Sequence, residues 1–599
     1  MNNASLELGG TNWAEKDGNI LGYSVGDTSG NFSPQEFTFA RGSNLSATRI
    51  DRAGLIVKGR ENVLTYSNDF SFVDWLATSS SFFTSGQVGY DDSSDAWLFT
   101  ANAAGERIQR TINESGVYTL SAYFKKGTAD GIRFRVDMSG SDANVYVNLI
   151  DGSLINSNGI IANKITDVGN GWYRVELVAN WVSVINIRVY PSNTSGVNIA
   201  GTILIQDAQL EQGLAASPYI ETTTTSAQAG VLENTPRLNY TTGVANPYLL
   251  LEPSRTNILT QSEYLDSSDW PKTNVSVTSN AANSPEGLQN ASKLIPANGT
   301  GGNRSISKNY VSLTGLHTFS VFAKAAEYGY ISLRMRNSPN DFAMFDLTNG
   351  LVHATNTNAQ MVSGSPKIED YGNGWYRCSI VIDPSGSTSA GQVYASYSVG
   401  ITGNETSNFS GDGVSGIYIY GSQLEAGSYP TSYIPTYSVS ATRAEDDMDT
   451  TFSSPLATNG SATIFFHELG VADSDDIKTT GGAYRYQKDT SNYVSLTTTA
   501  TLWRVRVQGG GTSNFKGLNN NPKTSPIKVA IVVTSSTFSV YANGVKELDN
   551  SSLSSTADFS SINDFITIIA ENIGVRKSVQ HLVFPTALSD ADAITLTTI

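Results

Sequence analysis

Hydrophobic and polar residues alternate with a period of two along much of the chain. In the stretch YTLSAYFK, Tyr118, Leu120, Ala122 and Phe124 fall on one face. In the next stretch Ile132, Phe134, Val136 and Met138 alternate with Arg133, Arg135 and Asp137. Such alternation predicts strands with one buried face, and hence antiparallel sheets packed face to face. Farther on, Val529, Ile531 and Val533 mark another strand, and FSVYA runs into Asn543-Gly544, a two-residue hairpin signal. The pattern changes only at the end, where Ser589 or Asp590 is placed to cap a short final helix. The fold class read from the pattern is all-β.

The pattern also repeats. GNGWYR occurs at Gly169–Arg174 and again at Gly372–Arg377, with the same signposts around it in the same order. RENVLT from Arg60 answers to RTNILT from Arg255, and Trp75 answers to Trp270. YTLSAYFK answers to HTFSVFAK from His317, IQDAQLEQG from Ile205 to IYGSQLEAG from Ile419, and Tyr219-Ile220 to Tyr433-Ile434. The offset grows along the chain, as it does when loops differ in length on a shared scaffold. The period far exceeds the roughly 20–50 residues of a solenoid, so this is a duplicated domain. The expected organisation is a leader over 1–59, a first sandwich over 60–222 and a linker and connector over 223–253. A second sandwich over 254–437, a linker over 438–447 and a final sandwich over 448–599 follow. The leader is too short and polar for a core of its own.

Composition narrows the function. With 38 basic and 54 acidic residues the net charge is −16, which argues against nucleic acid, anionic membranes and strongly acidic polymers as main partners, while leaving room for a local basic patch. The lone cysteine, Cys378, permits no internal disulfide and points to folding in a reducing cytoplasm. The first residues, MNNASLELGG, do not read as a signal peptide, and no apolar run approaches the ~20 residues of a membrane span.

The stretch RTNILT…W…GNGWYR…GSQLEAGSYPTSYIPTYSVSATRAEDD resembles a module of tailed-phage head and tail fibres, spikes and appendages. FTFARGSNLSATRIDRAGLI and GVLENTPRLNYTTGVANPYLLLEPSRTNIL resemble two further pieces of that module, with the first repeat inserted between them. FSVYANGV…VQHLVFPTALSDADAITLT resembles a concanavalin A-like (LamG-type) domain. The resemblance implies tandem jelly-roll-like, carbohydrate-binding-module-like sandwiches followed by a concanavalin A-like sandwich. It implies a homotrimeric appendage on the virion surface, bound to capsid, portal or tail proteins, folded in the host cytoplasm before lysis and carrying glycan-binding modules to the host surface. The alternatives are a depolymerase, a decoration protein with no glycan ligand, and a secreted adhesin or accessory module, the last weakened by the missing signal.

Candidate chemistry is sparse. Trp172 and Trp375 begin their strands on the face opposite Tyr173 and Tyr376, beside Arg174 and Arg377. An indole beside a guanidinium can stack a sugar and bind its hydroxyls, and Trp503 is grouped with them. The plainer reading, preferred because both copies keep the pair, is that each Trp caps the sandwich edge and stacks on its arginine. Glu211 and Glu425 are candidates for ligands or acids, but are read first as salt bridges or loop clamps to Arg174 and Arg377. Cys378 is a core residue, and the four histidines form no zinc pair or catalytic order. The acidic groups around Asp91, Asp446 and Asp473 read as solvated loops. Asp473, Asp475 and Asp476 are the first choice for Ca²⁺, because LamG-type domains sometimes hold calcium at a loop rim. No cofactor and no catalytic constellation is expected.

Overall fold

The computed structural model describes residues 4–599 except 11–12, 17–18, 25–32, 43–44, 141, 183–185, 242–243, 301–303, 311–312, 336–340, 358–359, 385–390, 398–409, 453, 472–482, 500–501, 520–524 and 569–574. The fold is all-β, with one helix among the described residues, Asp590–Thr597. Ser589 caps it, its side chain accepting from the Asp592 N–H. Three large hydrophobic cores account for the three sandwiches.

Each repeat is a pair of six-stranded antiparallel sheets. In the first, Gly116–Lys126 lies between Trp172–Trp181 and Gly201–Gln212. In the second, His317–Ala325 lies between Trp375–Ile382 and Ile417–Ala426. The period-two faces are as the sequence predicts: Leu120, Phe124, Ile132 and Phe134 fill one core, and Phe319, Val321, Cys378 and Ile380 the other.

The repeated signposts have a shared physical cause. GNGW is a tight turn, with Asn170 and Asn373 at φ 53° and 52° followed by Gly171 and Gly374 at 77° and 76°. Two successive left-handed residues are the type I′ geometry that suits a hairpin and favours Asn-Gly. Asn62 and Asn257 are latches. The Asn257 carboxamide donates to Ser422 O (3.1 Å) and Ile434 O (2.9 Å) and accepts from the Leu259 and Leu424 N–H groups. Asn62 repeats this with Ala208, Ile220, Leu64 and Leu210. Glu211 accepts from the backbone and hydroxyl of Ser217, and Glu425 from those of Thr431. These glutamates clamp the turn after the closing strand. They do not hydrogen-bond to Arg174 or Arg377, the partners expected of them.

The leader does not stand apart. Leu6–Gly9 pairs with Arg576–Phe584, and Ser33–Ala40 pairs with Asp447–Thr451. Leu6, Leu8, Phe37 and Phe39 enter the core of the final sandwich, where Phe37 meets Phe452 and Phe565 edge-on. The connector strand Tyr248–Leu251 pairs farther along Arg576–Phe584. Asp447–Thr451 crosses from one sheet to the other, pairing with Ser33–Ala40 and then with Asp564–Ile568. The last sandwich is therefore assembled from both ends and the middle of the chain.

The first repeat is an excursion between leader and connector. Its entry strand Arg60–Asn62 pairs with its exit strand Ala227–Ala229, and Arg255–Asn257 pairs likewise with Ala441–Arg443 around the second repeat. Two buried ionic knots tie the pieces together. In one, Lys58 bonds Glu263 (2.5 Å) and Glu286 (2.7 Å), while Arg60 bonds Glu286 and Glu211. Burial alone would raise the Glu286 pKa, but Lys58 and Arg60 outweigh it and hold the carboxyl below its usual range. In the other, Arg237 bonds Glu252 (2.6 Å) and Asp446, Arg41 bonds Asp446 (3.1 Å), and Arg443 bonds Glu252 (3.1 Å). Three guanidiniums share two carboxylates, and burial pushes Arg41 down to about 10 against the pull of Asp446. The reading of Asp446 as part of a solvated loop is thereby corrected. Asp446 is buried, while its neighbour Asp447 is exposed.

Candidate functional site

The tryptophans are not sugar platforms. Trp172, Trp375 and Trp503 are 0 %, 2 % and 0 % exposed, so none offers a free indole face. Trp172 does lie on the face opposite the core, but Tyr90, Tyr123 and Leu204 cover it. Arg174 sits over the Tyr123 ring (5.4 Å) and donates to Ser121 Oγ (3.1 Å). Trp375 packs with Ile56, Phe322, Tyr420 and Tyr433, and its Nε1 donates to Asn283 O (3.1 Å). Arg377 is buried over Phe322 and donates to Thr431 O (2.5 Å) and Ser320 Oγ (3.0 Å). Trp503 is a core residue beneath Arg576. The guanidiniums thus stack on Tyr123 and Phe322. Asp473, Asp475 and Asp476 lie outside the described residues. Among the described residues no group of three or more His, Cys, Asp or Glu is placed to hold a metal ion.

The cover over Trp172 carries a titratable group. Gln206 accepts from the Tyr90 N–H (3.1 Å) and donates to Asp91 (3.1 Å) and Asp95 (2.7 Å), fixing the loop over the sheet. Tyr90 stacks on Tyr123 (3.7 Å, 5°) and donates to Asp207 (2.9 Å). Asp207 sits at a strand bulge with φ 54°, where the second repeat has Gly421 at φ 59°. Burial raises the Asp207 pKa to about 7, with Asp95 and Asp91 adding and the Tyr90 hydrogen bond opposing. A raised folded pKa favours the protonated fold. Its stabilisation is present below the unfolded value near 4 and is lost as pH rises through about 7. Asp207→Asn removes the ionisation and tolerates the left-handed backbone. It is expected to stabilise the protein by roughly 1–3 kcal/mol at pH 8 and hardly at pH 4, read by thermal unfolding at the two pH values.

The site with room for a ligand lies where the pieces meet. A cleft of about 460 Å³ opens between the leader hairpin, the connector, the second repeat and the last sandwich. That volume falls in the range of small-ligand sites. Thr48–Ile50 and Ile56–Lys58 form the leader hairpin, whose Ile50 bonds Asn239 Oδ1 (2.7 Å) and the Tyr240 N–H (3.1 Å). Tyr240 and Tyr371 are half-buried in the lining, with Arg49 and Lys577 among the cations and exposed Glu369 and Asp370 among the anions. Tyr371 is held edge-on to Phe322 (4.9 Å), Lys577 lies over Tyr248 (5.6 Å), and the Arg49 Nε has no hydrogen-bond partner. Half-exposed aromatic rings among charged and hydroxyl groups make a polar cleft able to stack a ring and hydrogen-bond its substituents. The sequence singled out none of these residues as a site. The signal within reach was that FTFARG, TPRLNY, LEPSR and ATRAEDD belong together, because Arg41, Arg237, Glu252, Arg443 and Asp446 form the knot beside the cleft.

No protein-family model and no curated protein matches the chain. Among solved structures, the chain is similar to the CBM40 module of Ruminococcus gnavus IT-sialidase bound to α2,3-sialyllactose. That likeness has 13 % identity, covers 25 % of this chain and 96 % of that one, and has a TM-score of 0.19. It is similar to the binding domain of Paraclostridial Mosquitocidal Protein 1, at 12 % identity over 26 % and 43 % of the two chains, TM-score 0.21. It is also similar to the LG1–3 region of the laminin α2 chain, at 11 % identity over 82 % and 97 %, TM-score 0.16. The fold class stands on the sheets of this chain itself.

Proposed function

We propose that this protein is a glycan-binding attachment protein, carried as an appendage on a tailed-phage particle, and that the cleft beneath Tyr240 and Tyr371 is a sugar site. The observation that carries the reading is the cleft, where aromatic rings and hydrogen-bonding side chains from the leader, the connector, the second repeat and the last sandwich converge beside a buried ionic knot. The phage setting rests on the sequence resemblance. A shallow site of this kind binds weakly, and several chains in one appendage, a trimer in this reading, would supply avidity. The cleft reads as a binding site, with no step of catalysis assigned to it.

Binding of the full-length chain to an array of bacterial surface polysaccharides tests the glycan reading. Tyr240→Ala is expected to lower retention about tenfold, the loss of one stacking contact of ~1.4 kcal/mol. Trp172→Phe should leave retention unchanged. An array on which nothing is retained would overturn the glycan site. Release of reducing ends from a retained polysaccharide would move the reading to a depolymerase. Cryo-electron microscopy of the particle tests the appendage: density for this chain supports it, and a free monomer absent from every particle sinks it.

A further inference from the structure

The final sandwich has a second surface with its own chemistry. Four neighbouring strands, Ala483–Asp489, Asn492–Thr498, Trp503–Gly509 and Thr512–Leu518, pair in sequence order. Val494, Leu496, Val505 and Val507 point into the core. Alternation therefore sends Arg485, Tyr493, Arg504, Arg506 and Phe515 to the outer face, and the register agrees, setting Arg485 opposite Ser495, Ser495 opposite Arg506 and Arg506 opposite Phe515.

On that face cations and rings alternate. Arg485 lies over Tyr493 (4.2 Å) and Arg506 approaches the same ring (5.2 Å). Arg506 also approaches Phe515 (5.4 Å), over which Arg504 lies (4.0 Å). Phe515 is 48 % exposed, while Tyr493 is buried beneath the guanidiniums. Stacking fixes each guanidinium plane without consuming its charge. Among the described residues none of these three arginines forms a salt bridge, and the Nε atoms of Arg485 and Arg506 have no hydrogen-bond partner. The polar neighbours are neutral: Arg506 donates to Gln508 (3.2 Å) and Ser513 (2.9 Å). The acid of the adjoining strand, Asp564, accepts from Gln487 (3.4 Å).

Three unpaired cations on one face of a chain with net charge −16 call for an external anion. We infer that this face binds an anionic polysaccharide, its carboxylate or sulfate groups on Arg485, Arg504 and Arg506 and a sugar ring on Phe515. A polysaccharide fits better than duplex nucleic acid, because the exposed Phe515 ring, approached by Arg504 and Arg506, offers a sugar ring a face to lie on, whereas a duplex keeps its bases stacked inside and out of reach of that ring. This surface is separate from the cleft and does not depend on the glycan reading of it.

The test uses the full-length chain with four immobilised probes: polygalacturonate, heparin, neutral dextran and duplex DNA. Retention on polygalacturonate or heparin, falling as salt rises from about 50 to about 300 mM, is expected. Arg504→Gln/Arg506→Gln should weaken it at least tenfold, Phe515→Ala should weaken it with the salt dependence kept, and Tyr240→Ala should leave it unchanged. No retention on either anionic polysaccharide, equal retention on dextran, or tighter binding to DNA would each overturn the inference. So would full retention by the double arginine variant. Were that variant unfolded by circular dichroism, undiminished binding by Phe515→Ala would overturn it instead.

Discussion

Asp446→Ala is expected to lower the unfolding free energy by about 3–5 kcal/mol, the loss found when one partner is removed from a buried charge cluster. Asp446 faces Arg41 and Arg237 and also accepts from the Glu252 N–H (2.9 Å). Without it, three buried guanidiniums retain one carboxylate, Glu252, whose bonds to Arg237 and Arg443 remain. The adjacent Asp447→Ala is the control. Asp447 is exposed and accepts one bond, from Thr567 Oγ1 (3.1 Å), so its loss should stay within about 1 kcal/mol. Denaturant unfolding of both variants checks this, and equal effects would refute a buried knot. The knot also sets an acid limit. Burial alone would raise Glu252, but Arg443 and Arg237 outweigh it and hold the carboxyl well below its usual range. A depressed folded pKa contributes stability that is fully present above the unfolded value near 4.3 and fades as pH falls below it. Melting temperature should therefore fall progressively as pH is lowered below about 4.3, and less steeply in Glu252→Gln.

The second large effect is expected at Asn257. Asn257→Ala removes four hydrogen bonds to buried backbone, two donated and two accepted, and should destabilise the second sandwich by about 3–5 kcal/mol. Asn257→Asp separates hydrogen bonding from side-chain size. It keeps the acceptor for Leu259 and Leu424 but turns a carboxylate oxygen toward Ser422 O and Ile434 O. At neutral pH it should be at least as destabilising as alanine, and less so near pH 4, where the group carries a proton. Limited proteolysis over residues 434–441 would report the released segment. A melting temperature unchanged in Asn257→Ala would sink the latch.

The same latch shows what could be read from the chain. RENVLT and RTNILT were legible as a repeat, yet Asn62 and Asn257 did not look special, because three of the four partners of each are backbone groups far away in sequence. GNGW was legible as a signpost, and its Asn-Gly pair held a hairpin signal that went unread beside the tryptophan. The alternation that set Trp172 and Trp375 opposite the core was correct. It could not show that this second face is covered too, by Tyr90 in one copy and by Ile56 and Tyr433 in the other. Ile56 comes from the leader, and no local pattern foretells that contact.

The sequence by itself determined the all-β class, the strand faces, the Asn543-Gly544 hairpin, a short final helix capped at Ser589 or Asp590, and the duplication. Each depends on periodicity or on the φ preference of one or two residues, which are local properties. Tertiary structure alone decided that the leader completes the last sandwich, that Asp446 is buried while Asp447 is not, and where the cleft opens. Arg485, Tyr493, Arg504, Arg506 and Phe515 were likewise invisible as a group until strand register lined them up. Register and ion pairing are settled by which distant surfaces can bury their apolar atoms and satisfy their charges together, and that is a property of the whole chain.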